Sequence, residues 1–267
     1  MTNNSHSYII GTGWWCTDED EKIKLKERKF LGSDSIRGRD FHLLWYESIC
    51  RNTSPRKILI VDSNSPLHPN LNIDDNRIEF LSLPFNAGHS TNHIGKWAGW
   101  TRSVILGLQY AQVADVDYFV YVEQDALLKG QGIIEYCITR MKTPYMFGCG
   151  QGTPQILQQS FFIIHRNAIN HFLTRLVAMR DADSQLCPED KFAIATSQVL
   201  TTMSPMLKKL STYRRWRLIR LLSRYDHLPL GYGRTRPIDF SDKYFYFQHG
   251  TDEEIAKAVL DLMERAR

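Results

Sequence analysis

Through the first half of the chain, short apolar runs alternate with helix-length segments. The runs at residues 7–10, 57–61, 78–83 and 118–122 are strand-sized, whereas 36–51 and 92–113 carry apolar residues at helical spacing. That alternation predicts βα units around a mostly parallel central sheet flanked by helices. Within 92–113, Ile94, Trp97, Ala98, Thr101, Ile105 and Leu108 recur three and four residues apart, predicting one buried face, while Lys96 and Arg102 fall elsewhere. Beyond Glu123 the pattern is mixed. It predicts a helix near 132–141, a strand at 160–165, helices at 167–179 and 189–200, and a strand at 243–248 that delivers His249 and Gly250 to a turn. Thr251 stands three residues before Glu254, a capping box that opens a closing helix from 252 to about 265. No repeat or low-complexity linker divides the chain, so the pattern predicts a single α/β domain with a C-terminal helical extension.

Composition adds little until charge is located. With 43% apolar and 23% charged residues among 267, the balance is that of a globular chain. Its longest apolar stretches are far below the roughly 20 residues of a membrane-spanning helix. Residues 1–7 are polar, without the basic and apolar regions of a secretion signal, which predicts a cytoplasmic location. Five cysteines (Cys16, Cys50, Cys137, Cys149, Cys187) form no CxxC pair, so reduced thiols are expected. Of the 33 Lys and Arg residues, seven lie within 207–224, a segment with no acid. The remaining 26 face 29 acids, so the net +4 is a local patch on a slightly acidic chain.

The chemistry centres on 117–125, Asp-Tyr-Phe-Val-Tyr-Val-Glu-Gln-Asp, an aromatic and β-branched strand ending in two carboxylates one residue apart. Ligands of α/β sheets bind beyond the carboxyl ends of the strands. Two acids placed there repel unless a cation sits between them, and a hard divalent ion bridging a pyrophosphate needs only one or two protein carboxylates. An acidic pair also ends strands in plain solvent, so the motif alone leaves both readings open. As a site, it makes Asp125 the metal ligand for Mn²⁺ or Mg²⁺ and sets Glu123 nearer the nucleotide.

At this point the chain resembles glycosyltransferases of the GT-A fold, especially the family-2-like inverting group, whose signature is a strand ending in Asp-x-Asp. Here the first acid is Glu123, a departure from the commonest form. The resemblance continues upstream. Residues 58–65, Ile-Leu-Ile-Val-Asp-Ser-Asn-Ser, are similar to the second-strand end where that family holds base and ribose, and carry Asp62 into that role. Phe85-Asn86-Ala87-Gly88 and the following helix are similar to its Asn-x-Gly element closing over the nucleotide, which implicates Asn86 and Gly88. Downstream, Cys187-Pro188-Glu189-Asp190-Lys191 resembles the Glu-Asp pair that supplies the catalytic base, with Asp190 first and Glu189 second; acids at a helix start also follow from the helix dipole alone. His249 matches the position of a C-terminal metal ligand.

Three further elements join this reading. Arg234 and Arg236, in the loop Gly231-Tyr-Gly-Arg-Thr-Arg-Pro237, are candidates to clamp a diphosphate. Gly11-Thr-Gly13-Trp14-Trp15 after the first strand lacks the third glycine of a dinucleotide fingerprint, so Gly11 is placed against the base, with Trp14 or Trp15 stacking on it. Residues 148–153, Gly-Cys-Gly-Gln-Gly-Thr, resemble the loop shaping the donor-sugar and acceptor pocket.

The resemblance therefore implies a nucleotide-binding half over about 1–125 and an acceptor half with its extension over about 126–267. It implies inverting transfer of a sugar from a nucleoside diphosphate sugar to a saccharide or glycolipid hydroxyl, in the synthesis of polysaccharide, lipopolysaccharide or glycan. Two other readings share the features: a sugar-phosphate nucleotidyltransferase, disfavoured because 11–20 has no basic residue, and a non-catalytic saccharide- or nucleotide-binding protein. On a helical wheel, Arg217, Arg220 and Arg224 share one side of the basic segment, and Leu218, Leu221, Leu222 and Tyr225 another. Such a helix suits peripheral contact with an anionic membrane, here the inner face, as well as a plain solvated face. No nucleic-acid motif accompanies it.

Overall fold

The computed structural model describes residues 6–17, 31–151, 153 and 155–264. Ten strands and eight α-helices occur among them, in the order β1 (Tyr8–Trp14), α1 (Phe41–Asn52), β2 (Lys57–Asp62), β3 (Ile78–Ser82), α2 (Gly99–Val113), β4 (Tyr118–Val122), β5 (Ala126–Lys129), α3 (Ile133–Ile138), β6 (Tyr145–Cys149), β7 (Leu157–His165), α4 (Arg166–Ala178), α5 (Pro188–Ala195), α6 (Gln198–Leu207), α7 (Thr212–Leu222), β8 (Asp226–His227), β9 (Gly231–Gly233), β10 (Phe245–Gln248) and α8 (Asp252–Glu264). A 3-10 turn at Asp34–Arg37 precedes α1.

The main sheet runs β3-β2-β1-β4-β7-β6-β8, and β7 alone opposes the other six strands. This is the expected α/β architecture, a mostly parallel central sheet flanked by helices. A second, three-stranded sheet, β5-β10-β9, sits beside it. Alternation along each strand fills two cores, as the two-residue period of a sheet buried on both faces requires. Ile9, Phe119, Tyr121, Phe162 and Ile164 face α2, α4 and α5. Tyr8, Ile10, Val120, Phe161 and Ile163 face α1, α3 and the small sheet.

Several predicted boundaries shift, each for a physical reason. β1 continues through Gly11 and Gly13, because both are hydrogen-bonded within the parallel ladder to β2. A Cβ on Gly11 would lie 2.7 Å from the buried Phe119 ring, and one on Gly13 would lie 2.7 Å from Ser103 Oγ, so these glycines let the ring and α2 pack onto the strand. α2 begins at Gly99 and not near residue 92, since Gly95 sits at φ +78° and Ala98 is extended. Its start is held by a distant carboxylate: Asp183 Oδ2 accepts from Ala98 N at 2.8 Å and Thr101 Oγ1 at 2.7 Å. Ile94, expected on the buried face, is consequently exposed, whereas Ala98, Thr101, Ile105 and Leu108 are buried. The helix predicted over 189–200 is two, α5 and α6, the second capped by Ser197 Oγ. The capping box is present as expected: Glu254 N donates to Thr251 Oγ1 (3.3 Å) and Thr251 N to Glu254 Oε2 (3.0 Å).

Candidate active site

β4, five consecutive buried residues, ends at Val122 and leaves Glu123 and Asp125 at the carboxyl edge of the sheet. Glu123 N donates to Ser160 O on β7 (2.8 Å), and Ala126 N returns to Glu123 O (2.9 Å), a tight turn that sets both carboxylates on the same side. The middle residue fastens the neighbouring strand end: Gln124 accepts from Trp15 N (2.8 Å) and donates to Trp15 O (3.2 Å).

The small sheet completes the constellation. β10 pairs antiparallel with β5, Gln248 opposite Ala126, so the residue before His249 lands between the acids. Gln248 Nε2 donates to Glu123 Oε2 (2.6 Å) and to Asp125 Oδ1 (3.0 Å), while its Oε1 accepts from Arg234 Nε (3.0 Å). The backbone of His249 then turns into the left-handed region (φ +56°), which brings its Nε2 to 3.2 Å from Asp125 Oδ2. Gly32, also left-handed, packs against this turn so closely that a Cβ would lie 2.6 Å from the carbonyl carbon of His249.

Burial and the charge of Asp125 push Glu123 up to about 8, with Arg234 and Gln248 opposing. Burial acts on Asp125 in the same direction but is outweighed by His249, Gln248 and Arg234, which hold that carboxyl below the usual range. The pair thus relieves its repulsion by an uneven division: one acid holds its proton, the other its charge. Glu189, half-buried at the start of α5, belongs to the same electrostatic group. Burial raises it, Arg234 lowers it, and its charge in turn raises Glu123.

Two ligands at right angles on an octahedral ion, each about 2.1 Å from it, lie about 3 Å apart. The 3.2 Å between Asp125 Oδ2 and His249 Nε2 has that span, and His249 Nδ1 is buried without a partner among the described residues. These two donors fit as a half-site of the kind phosphate oxygens and water complete. Among the described residues, no group of three or more His, Cys, Asp or Glu side chains is arranged to hold a metal ion by itself.

Other expected site residues are placed differently. Asp190, first choice for the base, has 0% exposure and is turned away from the site, accepting from Trp216 Nε1 (2.9 Å) and lying 2.9 Å from Arg215 Nε on α7. The Arg215 contact is a charge pair without hydrogen-bond alignment, since both atoms lack an aligned partner. Glu189 is the one of the two whose charge acts on Glu123 and which feels Arg234. Gly11 is interior to β1, against Phe119. Trp14 is buried, its Nε1 donating to Leu67 O (2.9 Å), which leaves no face for a base; Trp15 is the half-buried one. Asp62 is fully buried, and its carboxylate closes its own turn by accepting from Ser65 N (3.0 Å) and Ser82 Oγ (2.6 Å). Arg236 pairs with Glu254 (2.6 Å) and donates to Gln248 O (2.9 Å), so it braces the β10–α8 turn. Asn86 and Gly88 form an exposed turn tied to β2 through Ser63, whose Oγ accepts from Ala87 N (3.2 Å). Of the expected 148–153 loop, Gln151 meets the Arg234 loop, its O accepting from Thr235 Oγ1 (3.1 Å).

Gln248, Gln124 and Arg37 are site residues that pattern reading passes over. Arg37 lies near enough to Asp125 for that carboxylate to support its charge against burial. Glutamines carry no distinctive motif; only the pairing of β10 with β5 reveals what Gln248 does.

No protein-family model matches the chain, and no curated protein matches it. Solved structures of similar fold include the glycosyltransferase GlyE of Streptococcus pneumoniae TIGR4, 9% identical, with 85% of this chain and 46% of that one covered at a TM-score of 0.40. TarS of S. aureus, solved with UDP, is 12% identical over 96% of this chain and 64% of that one, at 0.44. A putative glucose-1-phosphate thymidylyltransferase from Bacillus anthracis is 7% identical over 96% and 94%, at 0.40. The chain thus spans less than two thirds of the length of the first two.

Proposed function

We propose that this chain is a metal-assisted glycosyltransferase that moves a sugar from a nucleoside diphosphate sugar to an acceptor hydroxyl. The observation that carries the reading is the meeting of Glu123, Asp125, Gln248, His249, Arg234 and Glu189 at the carboxyl edge of the sheet, from elements far apart in sequence. Asp125 and His249 are the residues that would hold Mn²⁺ or Mg²⁺. When bound, the ion supplies positive charge to the diphosphate as it leaves.

The chain's own groups do the rest. Arg234, oriented by Gln248, is the guanidinium that receives the charge developing on the departing diphosphate. Glu189 accepts the proton of the acceptor hydroxyl; its raised carboxyl pKa brings it closer to neutral, where a base works best. Glu123, bridged to Asp125 through Gln248 Nε2, lines the same edge of the site. In this reading the acceptor oxygen attacks the anomeric carbon from the face opposite the leaving diphosphate, so the configuration inverts. Trp15, Asn86 and Gly88 are the remaining candidates to contact the nucleotide.

The test is to incubate the protein with UDP-, GDP- and dTDP-sugars, with and without Mn²⁺ or Mg²⁺, alone and with saccharide acceptors. Metal-dependent release of nucleoside diphosphate, lost in Asp125→Asn, supports the reading. Pyrophosphate release from nucleoside triphosphate and sugar phosphate means a nucleotidyltransferase. Binding of nucleotide sugar without turnover means a binding protein.

A further inference from the structure

α7 differs from the other helices in what its outward face presents. Inward, buried Ile219 and half-buried Trp216, Leu218 and Leu222 pack against the core, and Arg215 and Trp216 hold Asp190. Outward stand Arg214, Arg217 and Arg220, all exposed, and none of the three has an ion-pair partner among the described residues. Among them protrude Tyr213 and Leu221, 74% and 76% exposed. Leu221 therefore sides with the arginines and not with the half-buried leucines, and Arg224 and Tyr225 lie past the helix end. An open groove on this face is lined by the three arginines together with Leu210, Leu218 and Leu221.

The segment 207–224 carries seven basic residues and no acid, so the outer face of α7 supplies no counter-charge of its own to its arginines. Unpaired guanidinium groups surrounding a protruding tyrosine and leucine have the chemistry of an interfacial helix. Anionic headgroups neutralise the first, and the headgroup–acyl boundary takes up the second. A nucleic-acid backbone satisfies the charges but leaves Leu221 in water. We propose that the outer face of α7 docks on the anionic surface of a phospholipid bilayer. This inference is independent of the transferase reading, and its test measures no activity.

The experiment is flotation of the full chain with vesicles of phosphatidylcholine alone or containing phosphatidylglycerol, at low and high salt. Each basic residue near an anionic surface contributes roughly fivefold in partition, so Arg214→Ser/Arg217→Ser/Arg220→Ser lowers binding by about a hundredfold. These side chains are exposed and unpaired, so the variant folds, as an unchanged melting temperature verifies. Tyr213→Ser/Leu221→Ser keeps the attraction at low salt but loses what survives at high salt, where surface charges are screened. Absence of flotation, equal flotation with both vesicle types, or an unaffected arginine variant overturns the proposal. So does tighter binding of duplex DNA than of anionic vesicles.

Discussion

Substituting Glu189 and Asp190 one at a time separates a catalytic carboxylate from a structural one. Asp190→Asn leaves an oxygen for Trp216 Nε1 but removes the charge facing Arg215. The Arg215 side chain keeps 17% exposure, so water takes over part of that role, and burial already disfavours the ionised carboxyl while Arg215 and Trp216 oppose it. The expected cost is about 1–2 kcal/mol. Asp190→Ala also strands the indole N–H and empties a buried position, raising the cost to about 3–5 kcal/mol. Half-buried Glu189→Gln removes an ionisable group that burial already penalises, so stability changes by less than about 1 kcal/mol. The kinetic order is the reverse. Loss of a general base lowers kcat by about 10² to 10⁴, whereas Asp190→Asn stays within about tenfold of the parent. Urea unfolding gives the first quantity, and nucleoside diphosphate release from the donor found active gives the second. A folded, stable Asp190→Asn with kcat as low as that of Glu189→Gln refutes this assignment.

Three further outcomes are expected. Gly11→Ala sets a methyl group 2.7 Å from the Phe119 ring, which is fully buried and cannot retreat; urea unfolding should register a loss of about 1–3 kcal/mol, and a change under about 0.5 kcal/mol contradicts the packing argument. Burial pushes His42 down from 6.5 to about 4. The neutral imidazole is therefore the native form, and its contribution is complete above 6.5 and lost as pH falls toward 4, at most about 3 kcal/mol. His42→Phe, among Trp14, Trp45 and Tyr46, should remove that component of the acid limb in unfolding curves at pH 4 to 7; an unchanged limb counts against it. A nucleoside diphosphate with Mn²⁺ at a hundredfold excess over its Kd should stabilise the protein by about 2.7 kcal/mol in a thermal-shift measurement, and Asp125→Asn should not respond. An equal shift in that variant removes Asp125 from the ligand set.

What was legible in the sequence follows from how local each determinant is. β4 appears at its predicted bounds because five apolar residues between charged ones leave no other way to bury them, and the capping box forms because both partners lie within one turn. The glycines after Ile10 resemble a turn, since strands usually avoid glycine, yet the opposing Phe119 ring makes glycine the residue that fits inside β1. The start of α2 depends on Asp183, 85 residues from Ala98, and no local capping residue marks it.

The candidate site obeys the same rule, with a consequence for its chemistry. Asp125 was legible because a carboxylate at a strand end is a local pattern, whereas the setting that keeps it ionised comes from β10 and the Arg234 loop. Asp190 and Glu189 are indistinguishable by type and neighbouring in sequence. What separates them is Arg215 and Trp216 of α7, which hold Asp190 inward, whereas Glu189 feels the charge of Arg234. The helix that holds Asp190 from its inner side is the helix whose outer side carries the unpaired arginines.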